Sequence, residues 1–163
     1  AYVVAAVGSK EKGERLLEIG ADDYFNYREI RIDQWTRENL GKPSRSSTET
    51  GFDVIINNTG GDTWHPTLKS TKLGGTILVA GATAGFDPAE DLRYIWSFEL
   101  KIQGSNGFGR EDIEALVELV DKHDFRPVID SVVSLEEAPA ALERLENRGV
   151  TGKVIVAPWG GAE

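Results

Sequence analysis

A parallel α/β sheet with helical crossovers is the fold class predicted for this 163-residue chain. Three observations predict it: short β-branched runs, a glycine-containing turn after most of them, and amphipathic segments between them, repeated in that order. The strand candidates are 2–7 (YVVAAV), about 23–26, 52–57 (FDVIIN), 76–80 (TILVA) and 99–103 (ELKIQ). Residues 54–56 and 77–79 are continuous apolar runs, the pattern of strands covered on both faces.

Helices fill the gaps. The first carries Leu16, Leu17 and Ile19 and stops at Gly20, a residue that tolerates the left-handed conformation closing a helix. A second, over 111–122, places Ile113, Leu116, Val117 and Val120 on one face, with Glu111 and Asp112 in the first turn, where the helix dipole favours acids. Both read as surface helices packed on a sheet. Residues 41–51 (GKPSRSSTETG) are polar, serine-rich and broken by Pro43, which makes them a surface loop. After about residue 125 the style changes: FRPVIDSVV reads as a strand, Ser134 and Glu137 form a capping box, and Ala138, Ala141, Leu142 and Leu145 give a helical stripe. A last strand, 153–157, follows Gly152, and this tail need not extend the same sheet.

Composition removes several function classes. A net charge of −9 without a basic stripe excludes a nucleic-acid backbone binder, whose affinity depends on Lys and Arg neutralising phosphates. No apolar run approaches the ~20 residues that span a bilayer, so no membrane partner is expected and a cytoplasmic location is the default. Cysteine is absent, and His65 and His123 are too few and too far apart for a zinc site, so a catalytic metal would need ligands from elsewhere. The absence of methionine, and a first residue set directly against a strand, point to a fragment.

In an open parallel sheet, ligands sit beyond the carboxyl ends of the strands. Four turns there are rich in small polar residues: Gly8-Ser9, Asn58-Thr59-Gly60-Gly61, Gly81-Ala82-Thr83 and Gly104-Ser105-Asn106. Each alone is explained as well by turn geometry; together they favour a bound nucleotide. The G-x-G-x-x-G fingerprint is absent, and the nearest run, GSNGFG at 104–109, has its spacing reversed before an acidic helix start. The first turn is more specific. An acid after the second strand of a dinucleotide-binding unit reads a ribose 2'-hydroxyl, whereas small polar and basic residues accept a 2'-phosphate. Gly8, Ser9, Lys10 and Lys12 fit the second case, although a solvated helix start would look the same.

The runs VVAAVGSKEKGERLLEIGADDYFNYRE, FDVIINNTGGDTW, LGGTILVAGATAG and RPVIDSVVSLEEAPAALERLENRGVTGKVIVAP resemble the medium-chain dehydrogenase/reductase superfamily. Within it the chain is similar to quinone oxidoreductases and zinc-type alcohol dehydrogenases. The resemblance implies a Rossmann-like cofactor domain over 1–124 and a return segment over 125–163 that packs on a GroES-like catalytic domain. It implies that Ser9, Lys12 and Tyr27 hold the 2'-phosphate of NADP(H). It further implies that Asn58, Thr59, Gly81, Ala82 and Thr83 line the ribose and nicotinamide side, with Ser105 and Asn106 near the nicotinamide.

Family members carry their catalytic residues, any zinc ligands, the first cofactor-domain strand and its glycine loop ahead of this region. The resemblance therefore implies hydride transfer to or from a carbonyl or activated double bond in a longer parent, with the fragment inactive alone. It also leaves a gap in mid-sheet, to be filled by the missing amino-terminal part or a second chain unless the sheet rearranges. Homo-oligomers through the strand at 99–103 fit the family's habit. The alternative is a non-catalytic NADP(H)-binding or structural module on the same fold; a methyltransferase-like domain would prefer an acid where Ser9 stands. Trp64 reads as packing and His65 as exposed.

Overall fold

A computed structural model describes residues 1–123 and 126–159. Contacts divide the chain into two compact units, Ala1–Gly107 and a second beginning at Phe108. The expected boundary between 124 and 125 lies outside the described residues.

The first unit runs β1 (Val4–Val7), α1 (Lys10–Glu18), β2 (Asp23–Asn26), α2 (Ile32–Asn39), β3 (Phe52–Asn57), a 3-10 turn (Gly61–Thr63), α3 (Trp64–Ser70), β4 (Thr71–Val79), α4 (Leu92–Ser97) and β5 (Lys101–Gly104). The crossovers are parallel throughout: β1 pairs with β2, and β3, β4 and β5 pair in that order. The expected sheet is therefore present as two pieces, and among the described residues no pairing joins β1 to β3. An aromatic stack links their ends: Phe25 of β2 lies 5.7 Å from Trp35 of α2, which lies 5.9 Å from Phe52 at the start of β3.

The main core sits between β4 and helices α3 and α4. Trp64, Leu68, Ile77 and Leu100 are buried there, with Val79, Tyr94, Ile95 and Phe98 packed around them. Leu68 and Ile77 are fully enclosed, each worth about 1.5–3 kcal/mol of burial. Trp64 packs as its sequence position implied, and its indole Nε1 donates to Glu90. His65 is not simply exposed: it is half-buried, with its ring edge against Tyr94 at 5.5 Å.

The structure departs from the sequence reading in three further places. Ile55 and Asn57 face the core, but Val54 is 52% and Ile56 70% exposed, so β3 is covered on one face only. Helix α1 buries Gly13, against the ring of Tyr24, while Leu17 and Ile19 stay exposed; Gly20 does take the left-handed conformation, φ +109°. Strand β4 starts five residues earlier than expected, at Thr71, and shifts register against β3 between Phe52 and Val54.

In the second unit α5 (Arg110–His123) is followed by β6 (Ile129–Val133), α6 (Ala138–Glu146) and β7 (Lys153–Val156), with β6 and β7 forming their own parallel pair. No residue of α5 is buried: Ile113, Leu116 and Val117 of its apolar stripe are exposed and Val120 is half-buried. The capping box forms reciprocally: the Glu137 carboxylate accepts from the Ser134 backbone N–H at 2.9 Å and the Ser134 hydroxyl accepts from the Glu137 N–H at 3.4 Å.

Candidate functional site

Two clusters form at the carboxyl ends of the strands. The first gathers around Gly8, directly after β1. A Cβ at Gly8 would lie 2.6 Å from the Tyr27 hydroxyl and 3.6 Å from Nε of Arg28, so the glycine is what lets both side chains lie over this turn. The Tyr27 backbone N–H donates to Val7 O at 2.9 Å, which fixes the tyrosine against the end of β1. Ser9 caps α1 by accepting from the Lys12 backbone N–H at 3.4 Å. Ser9, Lys12 and Tyr27 are thus brought to one turn.

Arg28 is an addition that the sequence reading missed; its signal was a second cation directly after the tyrosine in NYRE. Glu11 complicates the cluster. Its own backbone N–H and the Ser9 hydroxyl hold its carboxyl below the usual range, so Ser9 already has an anionic partner.

The second cluster joins the turns after β3 and β4. Asn57, the last residue of β3, is 7% exposed and holds the turn with all of its amide atoms. Its Oδ1 accepts from the backbone N–H groups of Thr59 and Gly60, both at 2.9 Å. Its Nδ2 donates to the hydroxyls of Thr67 at 2.9 Å and Thr63 at 3.1 Å. Asn57 was read only as a strand end, because its partners lie on the following turn and helix.

The neighbouring turn is stitched on by Gly61 N–H to Gly85 O at 2.9 Å and Ala84 N–H to Thr59 O at 2.7 Å. Gly60 and Gly61 take φ +66° and +50°, and a Cβ on either would lie within 2.4 Å of a carbonyl oxygen of that turn. Gly81 is similarly close to Asn58, its Cβ position 3.2 Å from Asn58 O.

Asn58, Thr59, Gly81, Ala82 and Thr83 are therefore assembled in one place, with Asn58, Gly81 and Thr83 exposed and Thr59 and Ala82 half-buried. Most of the turn amides are not available to a ligand: those of Thr59, Gly60, Gly61, Ala84 and Gly85 are spent within the two turns. The Asn58 side chain and the hydroxyls of Thr59 and Thr83 take no part in these bonds. Ser105 follows β5, its N–H donating to Val79 O at 2.9 Å, and Ser105 and Asn106 are both exposed. Past them, the Asp112 carboxylate takes the Gly109 N–H at 2.7 Å, which fills the start of α5 with an acid.

The fit to a nicotinamide cofactor rests on the Gly8 turn, where a glycine admits two hydrogen-bonding side chains, and on the exposed polar groups of the second cluster. Among the described residues no three His, Cys, Asp or Glu side chains group closely enough to hold a metal.

Comparison with known proteins gives the same fold. In solved structures, an NAD-dependent alcohol dehydrogenase matches with TM-score 0.80 and 29% identity, over 96% of this chain and 43% of that one. A crotonyl-CoA carboxylase/reductase in complex with NADP matches with TM-score 0.80 at 21% identity, over 94% and 42%. Curated relatives include crotonyl-CoA carboxylase/reductase of Cereibacter sphaeroides, 22% identical over 96% of this chain and 40% of that protein. A zinc-type alcohol dehydrogenase-like protein of Schizosaccharomyces pombe is 27% identical over 95% and 45%. The chain thus spans less than half the length of these relatives. The family model for the zinc-binding dehydrogenase matches residues 19–156. The chain belongs to the zinc-binding dehydrogenase family, within the medium-chain dehydrogenase/reductase superfamily of oxidoreductases.

Proposed function

We propose that this chain is the NADP(H)-binding part of an oxidoreductase that moves hydride to or from a carbonyl or activated double bond of a small-molecule substrate. The observation that carries the reading is the turn after β1, where Gly8 and Ser9 stand in place of an acid and the Tyr27 hydroxyl and Arg28 lie over the glycine.

Ser9, Lys12, Tyr27 and Arg28 hold the 2'-phosphate by charge-assisted and hydroxyl hydrogen bonds. Asn58, Thr59 and Thr83 bind ribose oxygens; Gly81 and Ala82 let the cofactor approach the backbone, and Ser105 and Asn106 orient the amide side. The cofactor supplies hydride chemistry when bound, and these residues bind and orient it. Any zinc belongs to residues outside this chain. The names of relatives, crotonyl-CoA reductases and alcohol dehydrogenases, support both substrate types. No helix of the described residues is long and apolar enough to cross a membrane, and we place the parent in the cytoplasm. The exposed outer strand β5 is the edge through which copies would pair.

The test is Lys12→Glu in the full-length protein, with NADPH and NADH affinities measured side by side. Loss of a charge-assisted contact is worth about 1.5–3 kcal/mol, so NADPH weakens by roughly ten- to a hundred-fold while NADH changes little. An equal effect on both cofactors overturns the assignment. The purified 163-residue chain alone is expected to show no NADPH turnover with any substrate.

A further inference from the structure

A second polar concavity lies apart from the strand-end turns, between α2, α3, α4 and the loop that precedes β3. Its volume is about 490 Å³, and none of its lining residues is among the eleven assigned to the cofactor. Five cationic side chains and two carboxylates line it.

The two carboxylates are already satisfied. Asp33 is 8% exposed and is gripped by Arg31 through two bonds, Nε to Oδ1 at 2.9 Å and Nη2 to Oδ2 at 2.7 Å. Asp91 is gripped in the same way by Arg93, with both bonds at 2.9 Å, and that fork pushes its pKa down to about 2.

The remaining cations, Arg37, Lys42, Arg45 and Lys69, form no ion pair among the described residues; Lys69 adds only a longer-range attraction to Asp33. Four like charges facing one concavity repel each other, and the two acids that line it with them are each already paired with an arginine. One wall is aromatic: Tyr94 and Phe98 stack at 5.9 Å with 21° between their planes, anchored in the core beneath.

We propose that this cleft binds a small polyphosphate anion, with Arg37, Lys42, Arg45 and Lys69 neutralising the phosphates and Tyr94 and Phe98 forming the adjoining wall. The shared chemistry is a diphosphate, whether inorganic or the phosphorylated end of a nucleotide. Its size suits either, since a cleft of a few hundred Å³ encloses a small ligand. The net acidity of the chain argues against an extended polyanion, which would meet repulsion beyond the cleft.

The test is calorimetric titration of the full chain with sodium pyrophosphate, and separately with ADP, at constant ionic strength. Saturable binding is expected, weakened by about ten-fold or more in the double variant Lys42→Ala/Arg45→Ala and retained in Lys42→Arg/Arg45→Lys. Both side chains are exposed loop residues, and an unchanged urea midpoint shows that the variant folds. Lys12→Glu leaves this binding intact, which separates it from the cofactor site. Tighter binding of ADP than of pyrophosphate identifies a nucleotide through the aromatic wall; equal binding identifies the diphosphate alone. Absence of saturable binding, binding unchanged in the double alanine variant, or binding abolished by Lys12→Glu overturns the proposal.

Discussion

Replacing Asn57 by alanine removes four hydrogen bonds from one buried side chain: two accepted from the Thr59 and Gly60 amides and two donated to the Thr67 and Thr63 hydroxyls. The hydroxyls keep other partners, since Thr63 donates to Gly60 O and Thr67 to Thr63 O. The two amides do not, and Gly60 is buried, so its N–H is left without water or partner. At about 0.5–1.5 kcal/mol for each of the two amide bonds, plus about 1–3 kcal/mol for the one stranded donor, the loss comes to about 2–6 kcal/mol of folding stability. Urea unfolding of the full-length protein measures it, and amide hydrogen exchange localises it. Thr59 and Gly60 should exchange much faster, and NADPH affinity should fall with them. Asn57→Asp keeps an acceptor for both amides and should lose less. A loss below about 0.5 kcal/mol, or a large loss without faster exchange at Thr59 and Gly60, refutes the claim that this amide holds the turn.

Glu11→Gln should tighten NADPH binding relative to NADH, because it removes a carboxylate that competes for Ser9; a titration of both cofactors decides it. Gly13→Ala gains about 1 kcal/mol of helix propensity, but its Cβ would sit 2.2 Å from the Tyr24 ring, and overpacking costs about 1–3 kcal/mol, so net destabilisation is expected in thermal unfolding. Burial pushes the Asp33 carboxyl up, but the Arg31 bonds and charge outweigh it and hold the group below the usual carboxylate range. With the folded pKa below the unfolded one, the pair stabilises the protein above about pH 4 and the contribution disappears as pH falls through the folded value. The stability difference between wild type and Asp33→Asn should therefore shrink between pH 6 and strong acid, read as urea midpoints.

The alternation of strand and helix was legible because both periods are written in the apolar positions, and the capping box at Ser134 and Glu137 because its partners are three residues apart. Gly81, Ala82 and Thr83 were legible as a small polar turn at a strand end, which is where the structure has them. Asn57 was not, since its meaning depends on Thr63 and Thr67 being carried back over the strand end by the turn and helix. The exposure of Val54 and Ile56 was hidden for a related reason: an apolar run records the faces that some partner covers, and the described residues supply a cover for one face of β3. The basic cleft escaped because Arg37, Lys42, Arg45, Lys69 and Arg93 are scattered over more than fifty residues and meet only in the fold.

The Phe25–Trp35–Phe52 stack has a kinetic consequence. Among the described residues no strand pairing joins the β1–β2 pair to the β3–β4–β5 sheet, and the stack connects them only once Phe25 and Phe52 are both set in their strands. Trp35 is therefore an intrinsic clock for the last stage of assembly. In a stopped-flow refolding trace its emission should settle after backbone circular dichroism does, and Phe52→Leu should slow that final phase while leaving the earlier one unchanged.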